Sequence, residues 1–124
     1  MARIAINGLG RIGRATLKIV LNSSQFEVAA VNVLIPAGNL AYLLRYDTVY
    51  GRWARPVTAH GDRLHIDDVD VPVLHQAHPV ELPWAALKVD LVFECTGRFT
   101  KEDELVAHLK GGAKNVVLSE RTFL

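Results

Sequence analysis

Three glycines in "NGLGRIG" (residues 7–13), at positions 8, 10 and 13, constrain this chain more than any other feature. Before them, "RIAI" (3–6) is a short, β-branched apolar run, the pattern of a buried strand. After them, Ile12, Ala15, Ile19 and Val20 recur at helical spacing, with Arg11, Arg14 and Lys18 on other faces. "EVAAVNV" (27–33) then reads as a second buried strand. Strand, glycine turn, helix and strand within about 30 residues form a βαβ unit, whose crossover makes the two strands parallel.

In that setting each glycine has its own job. Gly8 makes the tight turn, Gly10 lets the backbone approach a pyrophosphate, and Gly13 lets the helix pack close to the sheet. The helix N-terminus offers unpaired N–H groups and a partial positive charge, to which Arg11 adds a formal one. The pattern predicts a dinucleotide-binding loop. One part of the fingerprint is absent: the second strand should end on Asp or Glu for the adenosine ribose 2′-OH. The chain reads "VNV", so Val33 stands there, and no basic residue follows before Arg45 to hold a 2′-phosphate. NAD and NADP should therefore be weakly discriminated.

Further along, Leu40, Leu43 and Leu44 suggest a second short helix ending near "YDTVYG". From about 52 to 76, alternating residues (Val57, Ala59; Leu64, Ile66; Val69, Val71, Val73) separated by Gly61-Asp62 and Asp67-Asp68 predict a small antiparallel meander. Pro72 places part of it at an edge. "VDLVFECTG" (89–97) is another buried strand, Thr100 can cap a helix with Leu105, Val106 and Leu109 as its buried face, and "NVVLS" (115–119) is a last strand. The expected fold is a single α/β domain, Rossmann-type, with a doubly wound, mostly parallel sheet.

Half of the 124 residues are hydrophobic, and 14 basic residues balance 13 acidic ones, so nothing marks a nucleic-acid surface. No apolar run approaches the length of a membrane span, and the N-terminus carries no secretion signal, which predicts a cytoplasmic chain. The single cysteine, Cys95, has no histidine near it in sequence and reads as a buried structural thiol. His60, His65, His75 and His78 lie among aspartates but without zinc-type spacing, so a solvated polar face is expected and no metal. Trp53, Tyr42, Tyr46 and Tyr50 read as packing between the second helix and the meander; Asp47 reads as a turn or cap residue.

"RIAINGLGRIGR", "YLLRYDTVYG", "LPWAALKVDLVFECTGRFT" and "GGAKNVVLS", in this order, resemble the glyceraldehyde-3-phosphate dehydrogenases and, more loosely, the related erythrose-4-phosphate dehydrogenases. The likeness runs from residue 2 to about 119. It implies an NAD(P)-binding domain over 1–119, followed by a divergent stub at 120–124, with the family's catalytic domain absent. It also implies site residues. Gly8, Gly10, Arg11 and Ile12 match the pyrophosphate loop; Asn32 and Val33 occupy the adenosine-ribose position, where the family usually has Asn-Asp. Ala77 stands where a backbone carbonyl faces the adenine, Thr96, Gly97 and Phe99 run along the adenine and ribose side, and Ser119 matches a hydroxyl near the nicotinamide.

The family oxidises an aldehyde phosphate through a thioester, which takes a cysteine in a Ser-Cys-Thr-Thr-Asn motif and a histidine. Neither motif occurs in these residues, and "SERTFL" replaces the family's usual "SAP". No catalytic residue is therefore assigned, and the expectation is a truncated, inactive cofactor-binding chain. The alternative is an association module that self-associates, or binds a partner, through surface the family covers with its second domain.

Overall fold

A computed structural model of the chain describes residues 2–47, 51–52, 56–78, 82–96 and 102–118. In chain order the elements are β1 (Ala2–Asn7), α1 (Arg11–Leu21), β2 (Phe26–Asn32), α2 (Ala37–Arg45), β3 (Tyr46–Asp47) and β4 (Gly51–Arg52). They continue as β5 (Val57–His60), β6 (Arg63–Ile66), β7 (Val69–Leu74), β8 (Leu91–Glu94), α3 (Glu102–Lys110) and β9 (Asn115–Leu118). Seven strands form one sheet in the order β5-β6-β7-β2-β1-β8-β9, and β3 and β4 pair separately.

β1 pairs in parallel with β2 on one side and β8 on the other, and β9 extends the parallel set beyond β8. The chain therefore winds outward from β1 through β2 to β7, then returns to lay β8 against β1's free edge. That reversal opens a crevice at the carboxyl ends of β1 and β8, where open α/β sheets bind ligands. The meander is not a separate sheet: β7 pairs in parallel with β2 at Val73 and Leu74, which carries β5 and β6 into the main sheet.

Period-two alternation sorts the core into two layers. Ile4 and Ile6 point to one face, with Leu17, Val28, Val31, Leu40 and Leu44; Ala5 points to the other, under Trp84. Fully burying each such isoleucine contributes about 1.5–3 kcal/mol. In β2 a register shift leaves Ala29 without a partner between Val28 (opposite Ile4) and Ala30 (opposite Ala5). Both alanines then fall on the Trp84 side, and their small side chains leave room for a fully buried indole.

The helices bury different residues from those their apolar periodicity suggests. In α1 the buried line is Gly13, Leu17 and Val20, while Ile12 and Ile19 are 50% and 70% exposed. Close packing of Gly13 sets the rotation of this helix, and the isoleucines, seven residues apart, share the outer face. In α3, Leu109 is exposed and His108 is fully buried, because His108 is drawn inward by two polar partners described below. Tyr42 and Tyr46 meet at the surface as a tilted pair, ring centroids 5.0 Å apart and planes 46° from parallel, rather than packing under the meander. Pro72 lies in an internal strand, not at an edge. It pairs with Arg63 on β6, while its nitrogen faces the side where β7 and β2 have not yet joined, so no ladder bond is lost.

Trp53, Tyr50 and the Thr100 cap lie outside the described residues. Among the described residues no helix is long and apolar enough to cross a membrane.

Candidate functional site

The turn from β1 into α1 is built on two contacts that only glycine permits. Gly8 has φ +95°, and a Cβ there would lie 2.7 Å from Thr96 Cγ2 and 2.8 Å from Thr96 Cα. A Cβ on Gly13 would fall on the carbonyl oxygen of Gly8. The loop is thus pressed between the ends of β8 and its own helix. Gly10 differs: its Cβ position meets nothing within 4 Å, so the backbone here faces open space at the start of α1.

That space belongs to a cleft of about 330 Å³ at the carboxyl ends of β1, β2, β7 and β8, within the usual size of ligand sites. Asn7, Gly8, Leu9 and Gly10 form one wall; Asn32, Val33, Leu34 and Ile35 the next; Gln76 and Ala77 a third; Cys95 and Thr96 close it. The structure therefore brings together Gly8, Gly10, Asn32, Val33, Ala77 and Thr96 from the sequence-derived set. Gly13 lies beneath the loop as a packing residue, and Arg11 and Ile12 are exposed on the first turn of α1. Gly97, Phe99 and Ser119 lie outside the described residues. Cys95 is half-buried in the cleft wall rather than fully buried, since its strand ends one residue earlier. The Val33 carbonyl accepts from His75 Nδ1 at 2.9 Å, and His75 Nε2 lies 3.1 Å from Asp62.

A larger cavity of about 590 Å³ opens at the opposite end of the sheet, where β2 and β7 splay. Its two arginines are matched by acids already, Arg3 by Glu27 and Arg63 by Asp70, and among the described residues no glycine turn or helix start lines it. The chemistry favours the smaller cleft.

Behind that cleft runs a chain of buried polar side chains. Asn32 Nδ2 donates to the Gln76 carbonyl at 2.9 Å and to Asn7 Oδ1 at 2.7 Å, and Asn32 Oδ1 accepts from the Gln76 N–H at 2.9 Å. Asn7 Nδ2 donates to Glu94 Oε1 at 2.7 Å. Glu94 Oε2 accepts from the Thr96 hydroxyl at 2.7 Å and from the Thr96 N–H at 3.1 Å. His108 Nε2 lies 2.7 Å from Glu94 Oε1, and Trp84 Nε1–H donates to His108 Nδ1 at 3.0 Å.

Burial pushes the Glu94 carboxyl up, but donation from His108, the Thr96 hydroxyl, Asn7 and the Thr96 N–H together outweighs it and holds the group below the ordinary glutamate value. At the other end of β8, away from the cleft, the Arg3 N–H and then Lys114 hold Asp90 below the ordinary aspartate value. Sequence reading passed over Asn7, Gln76, Glu94, His108 and Trp84. A faint signal existed in Asn7 and Glu94, polar residues closing otherwise apolar strands; His108 on a helix carried none.

The model of the family described as glyceraldehyde 3-phosphate dehydrogenase, NAD binding domain, matches residues 2–102. The chain belongs to the glyceraldehyde-3-phosphate dehydrogenase family. Within it, these residues form the NAD-binding domain, and the strand order around β1 is the Rossmann order. The chain is 50% identical to a glyceraldehyde-3-phosphate dehydrogenase of Kitasatospora aureofaciens over 120 residues, 96% of this chain and 36% of that protein. It is 45% identical to a plasmid-borne one of Cupriavidus necator over 120 residues (94% and 36%). One from Bacillus cereus is 42% identical over 119 residues (96% and 36%). The chain thus spans about a third of the length of these relatives. The residues present fit a dinucleotide: the open side of Gly10 leaves room for a pyrophosphate against the start of α1, in a cleft whose next wall carries apolar Val33, Leu34 and Ile35.

Proposed function

We propose that the cleft binds NAD or NADP with the pyrophosphate over Gly8, Gly10, Arg11 and Ile12, and the adenosine between Val33 and Ala77. The observation that carries this reading is the open face of Gly10 at the start of an 11-residue helix, opposite the Val33 and Ala77 walls. Gly13 supports the loop, and Asn32 supports the Ala77 side. Thr96 stands beside Gly8, and Gly97, Phe99 and Ser119 complete the set by resemblance. Val33 offers neither a carboxylate to the ribose diol nor a cation to a 2′-phosphate, which supports weak discrimination between the two cofactors.

When bound, a nicotinamide cofactor supplies hydride transfer; these residues contribute binding and orientation. The one cysteine, Cys95, does not stand in a Ser-Cys-Thr-Thr-Asn motif, so the reading for these 124 residues alone is cofactor binding without turnover. Calorimetry with NAD and NADP tests it: comparable, weak binding of both is expected, and a strong preference for NAD would overturn the account of Val33. Self-association is a second reading, favoured by Ile19 (70% exposed) on α1 and Val117 (42%) on the edge strand β9. Sedimentation decides it, since a clean monomer at high concentration counts against that reading.

A further inference from the structure

Every hydrogen bond behind the cleft has a direction, and the two ends of the chain of contacts set it. An indole N–H can only donate, so His108 Nδ1 must accept from Trp84 and the ring proton sits on Nε2. Nε2–H then donates to Glu94 Oε1. An ionised carboxylate only accepts, so Asn7 must turn its NH₂ toward Glu94 and its oxygen toward Asn32. Asn32 is left to present its NH₂ to Asn7 and to the Gln76 carbonyl, and its oxygen to the Gln76 N–H. Reversing any one amide would set two donors or two acceptors face to face in a site from which water is excluded. Asn7 and Asn32 are consequently committed to one another, and both line the cleft.

We propose that Glu94 and His108 are positioning residues of the cofactor cleft: the neutral, Nε2-protonated imidazole holds Glu94, which fixes Thr96 directly and, through Asn7 and Asn32, the Gln76–Ala77 wall. The inference rests on the dinucleotide reading above. It makes α3 and Trp84, on the far side of β8, part of the support for the adenosine side of the site. It also assigns Asn32 a clamping role, with its carboxamide spent on protein partners.

The test uses NAD as probe with His108→Gln, His108→Leu, Trp84→Phe and Leu64→Ala. Glutamine can accept from Trp84 and donate to Glu94, whereas leucine can do neither. Trp84→Phe keeps an aromatic ring in the core and removes the donor that fixes the imidazole together with part of the indole's volume, for which Leu64→Ala is the control, so it stands in should the leucine variant fail to fold. Leu64→Ala opens a cavity in β6, away from the relay, and reports what loss of stability alone does.

NAD affinity should fall about tenfold in His108→Leu and about threefold in Trp84→Phe, and stay within about twofold of wild type in His108→Gln and Leu64→Ala. The side-chain amide NMR signals of Asn7 and Asn32 should move in His108→Leu and Trp84→Phe even without NAD. Equal losses of affinity in these two variants and in Leu64→Ala overturn the proposal, and so do unmoved amide signals. Failure of the wild type to bind NAD or NADP overturns the dinucleotide reading and this proposal together; a wild type that binds, beside variants that bind equally well, overturns this proposal alone.

Discussion

The carbonyl oxygen of Gly8 occupies the place where a side chain on Gly13 would begin. That contact ties the first turn of α1 to the end of β1. It also turns Leu17 and Val20 inward and leaves Ile12 and Ile19 outside.

Gly13→Ala should therefore cost stability wherever the cofactor is absent. The clash is with backbone, which cannot rotate away, and overpacking of this kind costs about 3 kcal/mol. Thermal unfolding of the unliganded chain should show a midpoint lowered by about 10 °C. An unchanged midpoint would mean that α1 can slide along the sheet.

Gly10→Ala should behave in the opposite way. Its Cβ enters open space and its φ of −73° suits alanine, so stability should stay within about 1 kcal/mol of wild type. The methyl group would stand where the pyrophosphate is placed, and affinity for NAD and NADP should fall about tenfold for both alike. Calorimetry on the two glycine variants separates a supporting residue from a contacting one.

Val33→Asp should restore discrimination. A carboxylate at the end of β2 can accept from the ribose diol, a charged hydrogen bond worth about 1.5–3 kcal/mol, and repels a 2′-phosphate. The NAD-to-NADP affinity ratio should rise by about tenfold or more. Because Val33 is half-buried against the core, some stability should be lost, but the ratio of two ligands on one protein is insensitive to that. An unmoved ratio would place the ribose elsewhere.

Glu94 should give the fold a dependence on acid. Its carboxyl lies lower in the fold than in the unfolded chain, so as pH drops the unfolded chain takes up the proton first. The contribution of Glu94 is complete above the ordinary glutamate value of about 4.3 and is lost as pH falls through the lower folded value. Glu94→Gln should remove this part of the acid sensitivity while turning an NH₂ toward either the Thr96 donors or those of Asn7 and His108, a cost of about 1–3 kcal/mol near neutrality. Urea unfolding of both proteins from pH 7 to pH 3 should show curves that converge in acid. Parallel curves would mean that Glu94 is equally satisfied in the unfolded chain.

Much of the architecture could be read along the chain because it is written in short-range patterns. The β-branched runs of β1 and β2, the glycines between β1 and α1 and the paired turns of the meander each constrain only near neighbours. Gly8, Gly10, Val33 and Ala77 could be assigned to one site because the βαβ unit and the family resemblance carry its geometry with them. Gly97, Phe99 and Ser119 rest on that resemblance alone.

What lay beyond the sequence depends on partners far apart in it. Nothing within α3 says that His108 rather than Leu109 turns inward, since burying a histidine is favourable only once Trp84 and Glu94, 24 and 14 residues away, offer a donor and an acceptor to its ring. Ile12 and Ile19 read as core by periodicity, yet the rotation of α1 is set by backbone contact at Gly13. The sequence by itself determined the strand–turn–helix loop, the parallel sheet and the missing acid at Val33, because those follow from residue type and spacing. Only the tertiary structure decided which amides face one another behind the cleft, because a hydrogen bond between buried groups has a direction only after the chain has brought both ends together.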